Sequence, residues 1–485
     1  MAIKDIENKG PRAAARGTVH LLIGRVYFMA AGYVIAVVLA RGLGPAAYGI
    51  YGLIMSLLLW LEVASDFGIQ RATIKLIPQS DDARAIARTS TACLLVLTTV
   101  LFVAGWLVAP KIAQSFEIDN GTWLFRVAIL DIPFNGIYVA YQGIMQGHRR
   151  FGTVSLALIL YSTAKVGGIL LLVMIGVSVQ SALIVNVLAT VAALLFLFTR
   201  YRPGVAFEGS AVVKSIMRVA IPIGLYIVVN RFVLSAHLWS LKWLGGASDE
   251  SVGLYVAAWN IAQLPTVVTF VITGVLLASV STALGKNDAG LAHRYLQSAG
   301  RFVILVLLPM CALGALDAKP IMEFIFSSDY AGGGRFLALL LCSYGLFALL
   351  DTFMHAMLAA NQHRRVAAVQ FILVPIALTL NYLFISRFDG DGAAIALLST
   401  LIIGVTIAWV WTARTYGAPI RLASLGRVVL ATSVVCGISW FWDVSGFTVL
   451  LKLSCLVIIY GGTLLLLREL GPRDLSVLAL WKKPK

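Results

Sequence analysis

The sequence predicts an all-α polytopic membrane protein with 14 transmembrane helices. Three observations carry that expectation. Hydrophobic residues make up 60% of the 485-residue chain and charged residues only 12%, about half the roughly 25% of an average soluble domain. Apolar runs long enough to cross ~30 Å of hydrocarbon, about 20 residues each, recur along the whole chain. These runs lack the alternation of a membrane β-barrel, which leaves helices as the spanning solution. The composition excludes an ordinary soluble multidomain enzyme and any large disordered region.

The runs place helices at 19–40, 48–68, 88–109, 122–145, 152–175, 179–199 and 217–241. They continue at 252–280, 295–316, 335–359, 366–386, 392–412, 425–442 and 447–467. Residues 1–16 are polar and basic and read as a cytoplasmic tail; the apolar run that follows is too long for a signal peptide. Residues 470–485 read as a second cytoplasmic tail. The net charge is +16. With the N-terminus inside, 27 Lys and Arg fall in inner segments and 6 in outer ones (Arg41, Lys111, Lys242, Lys319, Arg335 and Arg387). That asymmetry is the one set by insertion, and it places both termini in the cytoplasm. The basic balance therefore reports topology, and nucleic acid is excluded as a partner. Trp106, Trp123, Trp239 and Trp243 fall near the expected outer interface, as an aromatic belt would.

The two halves echo one another. His148-Arg149-Arg150 recurs as His363-Arg364-Arg365, and Tyr48-Gly49-Ile50-Tyr51 as Val252-Gly253-Leu254-Tyr255. Pro110 and Phe116 share their spacing with Pro320 and Phe326. These matches predict two pseudo-symmetric six-helix lobes, 17–200 and 215–413, with two extra C-terminal helices at 421–469. Six is even, so the repeats are parallel, a layout that in transporters puts the substrate site at the repeat interface.

Ionisable groups inside spans are costly and mark function by default. Arg25, Lys165 and Arg231 lie within apolar runs and have no acidic residue three or four positions away. Facing one cavity, they would form a cationic chamber suited to a pyrophosphate, which guanidinium grips with two hydrogen bonds and ammonium as a point charge. Arg25 is close enough to the inner face to snorkel instead. Glu62 and Asp66 share a helix face. They suit either counter-ions for Arg25 or a coupling cation, H+ or Na+, and Asp66 before Gly68 also suits a helix cap. Asp131, ahead of Pro133, marks either a kink or a site, and Asp351 is a further candidate for counter-ion or cation coupling. Lys452 is placed to snorkel to the outer interface.

Other chemistries are absent from the sequence. No phosphate-binding loop is present, since Gly285-Lys286-Asn287 fails the pattern. Five scattered cysteines form no Cys/His cluster, so neither metal nor cofactor is expected. No Ser/His/Asp arrangement can be assembled from the spacings, and the chain is read as a non-enzyme. Asp389-Gly390-Asp391 matches a sugar-nucleotide pattern but falls in a short outer loop.

Arg41-Gly42-Leu43-Gly44-Pro45, then Tyr48-Gly49-Ile50-Tyr51, then Asp66-Phe67-Gly68 resemble the opening of bacterial Wzx-type polysaccharide flippases of the MOP exporter superfamily. Gly253-Leu254-Tyr255-Val256-Ala257-Ala258 resembles their second-half counterpart. The resemblance implies two six-helix lobes in a V around a cavity, in the bacterial inner membrane. It implies alternating access that carries an undecaprenyl-pyrophosphate-linked oligosaccharide from the cytoplasmic to the periplasmic leaflet, for surface polysaccharide synthesis. Partners would then include the lipid bilayer, a polysaccharide polymerase and chain-length proteins. By helix position the pyrophosphate role would fall to Arg25 and Arg231, although the acidic residue often found just beyond the latter is replaced by Phe232 and Val233. Helices 13 and 14 form a groove for the lipid tail in some relatives. Two other readings stay open: an ion-coupled drug or small-molecule antiporter of the same superfamily, and a membrane glycosyltransferase or polymerase.

Overall fold

A computed structural model describes residues 11–444 and 446–470, so most of the two expected tails (1–16 and 470–485) lies outside the described residues. The described residues fold into α1 (Pro11–Asp66), α2 (Ile69–Leu76), α3 (Ala83–Ser115), α4 (Gly121–Ile129), α5 (Asp131–Gly147) and α6 (Phe151–Ile175). The chain continues through α7 (Val179–Arg200), α8 (Ser210–Gly245), α9 (Asp249–Ala262), α10 (Leu264–Gly285) and α11 (Ala289–Leu316). It ends with α12 (Ala318–Ile325), α13 (Gly334–Ala359), α14 (His363–Tyr416), α15 (Leu422–Trp440) and α16 (Thr448–Leu466). The regular structure of the described residues is helical throughout, as the unbroken apolar runs require.

Among the described residues, 12 segments, not 14, are long and apolar enough to cross a membrane. The difference lies in two double-length segments, Val19–Gln79 (61 residues) and His363–Tyr416 (54 residues). The sequence divides them at 40–48 and 386–392, whereas the helix runs on through a single-residue break at each of those places. Gly44 (φ 74°, ψ 169°) interrupts α1, and Asp389 (φ 45°, ψ −121°) interrupts α14. Glycine takes the first conformation without a Cβ penalty, and Pro45, lacking an N–H, opens the next limb with no bond lost. Asp389 is a residue type that tolerates positive φ. The expected span at 122–145 divides into α4 and α5 at Leu130, although the dihedrals there stay helical (φ −56°, ψ −23°) and Gly121–Gly147 runs as one span. Gln263 separates α9 from α10, with Pro265 in the first turn of α10.

The chain divides into two compact units. The first runs to Trp243 and takes in Ser248–Gly253; the second comprises Leu244–Ala247 and the chain from Leu254 onward. The division by packing thus falls after nearly all of α8, whereas the repeat read from sequence begins a lobe at 215. The first unit packs Tyr138, Tyr141, Ile144 and Met145 of α5 against Ala72, Ile86, Leu94 and Leu197. Its helices approach closely wherever small residues meet. A Cβ on Gly136 would lie 2.1 Å from Thr98 Cγ2, and Ser155 Oγ donates to the His20 carbonyl at 2.7 Å beside Gly24. Small residues at contacts are the usual way apolar helices pack without a hydrophobic driving force between them.

The two echoing motifs meet within the first unit. A Cβ on Gly253 would sit 1.9 Å from the Pro45 carbonyl oxygen, and one on Gly49 would sit 2.1 Å from that of Asp249. Both obstacles are backbone, which cannot swing aside. Gly253→Ala and Gly49→Ala are therefore expected each to cost about 2 kcal/mol or more through forced separation of α1 and α9. Gly32→Ala, where nothing lies within 4 Å, should be near neutral. Thermal melting of the three purified variants checks this, and equal melting points would remove the close-contact explanation.

At the end of the described chain Glu469 is 5% exposed and binds Arg301 (2.7 Å) and Arg427 (3.3 Å) besides the Ser424 hydroxyl. Burial pushes its carboxyl up, but the Ser424 and Arg301 hydrogen bonds, with the Arg301 and Arg427 charges, outweigh that and hold it below the ordinary value. A depressed folded-state value makes a stabilising contribution that is complete above the ordinary carboxylate range and lost as pH falls through the folded value. Wild type should therefore lose part of its melting-temperature advantage over Glu469→Gln on acidification below that range. A difference constant with pH would contradict it.

Candidate functional site

Five helices of the first unit bring polar groups to one place. The second limb of α1 supplies Glu62, α5 Asp131, α6 Lys165, α7 Asn186 and Thr190, and α8 Arg231. Asp131 stands at the head of α5, where Leu130 keeps helical dihedrals (φ −56°, ψ −23°) and Gly121–Gly147 runs on as one span. Pro133 has no N–H to return to the preceding turn, so Asp131-Ile132-Pro133 is a kink within a helix, and it carries a buried carboxylate.

The geometry is closed around an ammonium. Lys165 is 9% exposed, and its Nζ donates to Asn186 Oδ1 at 2.5 Å and to the Tyr161 hydroxyl at 3.5 Å. Tyr161 itself donates to Asn186 Oδ1 at 3.1 Å. The charge of Lys165 is felt by both Glu62 and Asp131, whose carboxyls lie against one another. Asp131 is 1% exposed and lies beside Thr190, yet its Oδ1 receives no hydrogen bond. Arg231, partly exposed, adds its field on Glu62. Two acids and two bases give the cluster zero formal charge when all are ionised.

Arg25 lies elsewhere in the same unit. It is exposed on the first limb of α1, and its charge neighbour is Arg71 of α2. Asp66 accepts the backbone N–H groups of Gln70 (2.8 Å) and Gly68 and lies in the field of Arg71. It caps the break formed by Phe67 (φ 39°) and Gly68 (φ 76°). Glu62 and Asp66, one turn apart, therefore serve different groups. Asp351 belongs to the second unit, with its Oδ1 3.4 Å from His355 Nδ1. Among the described residues no group of three or more His, Cys, Asp or Glu could hold a metal ion.

The residues that complete the cluster are the neutral ones. Tyr161, Asn186 and Thr190 escape a search restricted to charges. The available signal was an amide in an otherwise apolar helix with a hydroxyl four residues on, which places both on one face.

Lys452 departs from expectation. It is 2% exposed, and its Nζ lies 2.6 Å from Asp317 Oδ1 and donates to the Ser439 carbonyl at 3.0 Å. Ser439 Oγ donates to Asp317 Oδ2 at 3.0 Å. Snorkelling fails because the loop Asp317, between α11 and α12, supplies a counter-charge inside the second unit. Removing one partner of such a pair strands a buried charge, costing about 3–5 kcal/mol, whereas replacing both with apolar groups is often neutral. Lys452→Met and Asp317→Leu should each lower thermal stability strongly, and the double variant should recover most of the loss. Additive losses in this cycle would show that the pair is not the stabilising unit.

Comparison with known proteins places this geometry. The chain is similar in structure to the lipid II flippase MurJ in an inward closed conformation (TM-score 0.79, 13% identity, covering 93% of this chain and 99% of that one). It is also similar to an inward-facing multidrug resistance MATE transporter of the MOP superfamily (TM-score 0.68, 16% identity, 82% and 98%). A third similar structure is a MOP superfamily transporter from Pyrococcus furiosus with a binding pocket of reverse polarity (TM-score 0.57, 17% identity, 84% and 96%). At these identities the likeness establishes the fold, that of a multi-pass membrane transporter. No curated protein matches the sequence. Residues 14–278, more than half of the chain, match the family model of polysaccharide biosynthesis proteins, and the chain belongs to that family.

Proposed function

We propose that the protein is a flippase for undecaprenyl-pyrophosphate-linked oligosaccharide repeat units, moving them from the cytoplasmic to the periplasmic leaflet by alternating access. The observation that carries this reading is the excess of arginine in the first unit. Arg25 and Arg71 act on each other as like charges, with Asp66, already holding two backbone N–H groups, as the acid in the field of Arg71. Two neighbouring guanidiniums make a locus of positive charge, and a diphosphate offers the oxygens for bidentate binding. Arg231 adds a third guanidinium, and Lys165 adds its field from behind the carboxylates. A pocket of about 540 Å³ in the second unit, lined by Leu264, Pro309, Met310, Phe324, Leu453 and Val457, is almost wholly apolar and suits part of a polyprenyl chain.

Each double-length segment, broken at Gly44 or Asp389, is counted here as two crossings. The 12 segments then give 14, with both termini cytoplasmic in the bacterial inner membrane. A polysaccharide polymerase and chain-length proteins would receive the product. If transport is coupled to a cation, the carboxylates Glu62, Asp66, Asp131 and Asp351 are the groups to bind it, all four for H+ and, where no ammonium already stands among the acids, Asp66 or Asp351 for Na+. The matches to multidrug transporters keep one rival in view, a drug antiporter; a cationic drug would favour a cavity of acids over one of arginines.

Deletion of the gene should abolish surface polysaccharide and leave the lipid-linked unit facing the cytoplasm. Arg25→Ala and Arg231→Ala should each reduce export at least about tenfold, the effect of losing one charge-assisted contact of about 1.4 kcal/mol or more, while Arg→Lys at either site retains part of it. Export at the wild-type level in both alanine variants would overturn the diphosphate assignment. Raised drug sensitivity with intact polysaccharide would transfer the protein to the antiporter class.

A further inference from the structure

We propose that Lys165 is a tethered cation: its ammonium, held directly by Asn186 and Tyr161, permanently takes the place of a free cation in the field of the acids Glu62 and Asp131. The first unit then takes up no free metal ion there while Lys165 is in place. The coordination around Nζ carries the inference. Asn186 Oδ1 at 2.5 Å and the Tyr161 hydroxyl at 3.5 Å are direct acceptors, and the Tyr161 ring centroid lies 5.7 Å away. Two carboxyls on other helices, Glu62 and Asp131, share its charge. Neutral oxygens of two helices thus hold the ammonium directly, and two carboxyls on other helices lie within its field without a direct ion pair.

The unsatisfied oxygen supplies a second observation. Asp131 Oδ1 is buried without a hydrogen-bond partner in a residue 1% exposed. A carboxylate oxygen in that state is costly unless a positive charge lies close. The Lys165 charge acts on Asp131 without a direct ion pair, from a side chain anchored in mid-helix, 14 residues into α6 (Phe151–Ile175), or about 21 Å from its start. A covalently attached ion has no translational freedom to lose, so it holds the site at any salt concentration. This goes beyond the flippase reading and does not depend on it, because it concerns occupancy rather than transport.

Lys165→Ala deletes Cγ, Cδ, Cε and Nζ, leaving a space shaped for propylammonium. The purified variant should melt well below wild type in a buffer whose only cation is choline. Propylammonium should raise its melting temperature saturably, and Na+ should do so in part, whereas 1-propanol should not. Wild type should respond to neither cation. Lys165→Ala combined with Glu62→Gln and Asp131→Asn removes the negative charges together with the ammonium. It should melt above the single variant and be blind to propylammonium. If the single variant does not fold, this triple variant decides: recovery of folding supports the tethered charge, and failure to fold overturns it. Lys165→Ala melting that ignores both cations, or rises equally with 1-propanol, would show that the side chain only fills space.

Discussion

A charge enclosed by apolar helices can be solvated only by other side chains. That constraint decides the arrangement of nearly every polar group in this protein. Burying an unpaired ion costs far more than any single packing contact returns, and the two buried lysines are found with compensation drawn from other helices or loops. Lys165 finds Asn186 and the carboxyls of Glu62 and Asp131. Lys452 finds Asp317, 135 residues away in sequence. These partnerships fix which helices are neighbours and, through the helical period, how each is rotated. Non-directional apolar packing cannot supply that selectivity.

The interruptions in the helices make the compensation geometrically available. A continuous helix presents its side chains along a stripe and carries its unsatisfied N–H groups only at one end. The proline kink in the fourth expected span, at Asp131-Ile132-Pro133, loosens the helix where it sets a buried carboxylate inside the bundle. The break at Phe67 and Gly68 lets Asp66 turn back to the N–H groups of Gln70 and Gly68. A Cβ on Gly68 would meet the Ala220 carbonyl at 2.6 Å, so the same break brings α8 within backbone contact of α1. Arg231 stands on α8 about three turns beyond Ala220, and its field reaches Glu62. Local backbone chemistry and the distribution of charge are thus a single arrangement.

Much of the fold was legible because membrane insertion writes it plainly: apolar length gives the spans, and Gly44-Pro45 and Asp389-Gly390 mark the turns within two of them. The membership of the charge cluster was less legible. Spacing put Glu62 with Asp66 because they are four apart on one helix, but tertiary contact separates them, Glu62 toward Asp131 and Asp66 toward the cap. Sequence distance also hid the partner of Lys452, since Asp317 lies in a connection between helices rather than in a span. Proximity to a helix end was read as access to water, whereas the loop brings its own carboxylate inward. The neutral participants Tyr161, Asn186 and Thr190 carry no charge to attract notice, yet two of them hold the ammonium or the orientation of its acceptor.

The two buried lysines show how one chemical problem yields two physical states. Asp317 is saturated: Lys452 and the Ser439 hydroxyl occupy its two oxygens, and the Ser439 carbonyl takes a further proton of the ammonium. Such a pair is rigid and has no capacity for another ligand, as a structural lock requires. Around Lys165 the balance is incomplete. Asp131 keeps an oxygen without a hydrogen bond, Glu62 is shared between Lys165 and Arg231, and Arg231 itself is partly exposed. An incompletely satisfied cluster is less stable than a saturated one, but it responds to an incoming charge. Under the proposed function, an anion approaching Arg231 would compete with Glu62, and Lys165 would absorb the negative charge thereby released. The ammonium whose field reaches the carboxylates would then also let an arginine exchange partners, and an exchange of partners is what binding and release of a charged headgroup would demand.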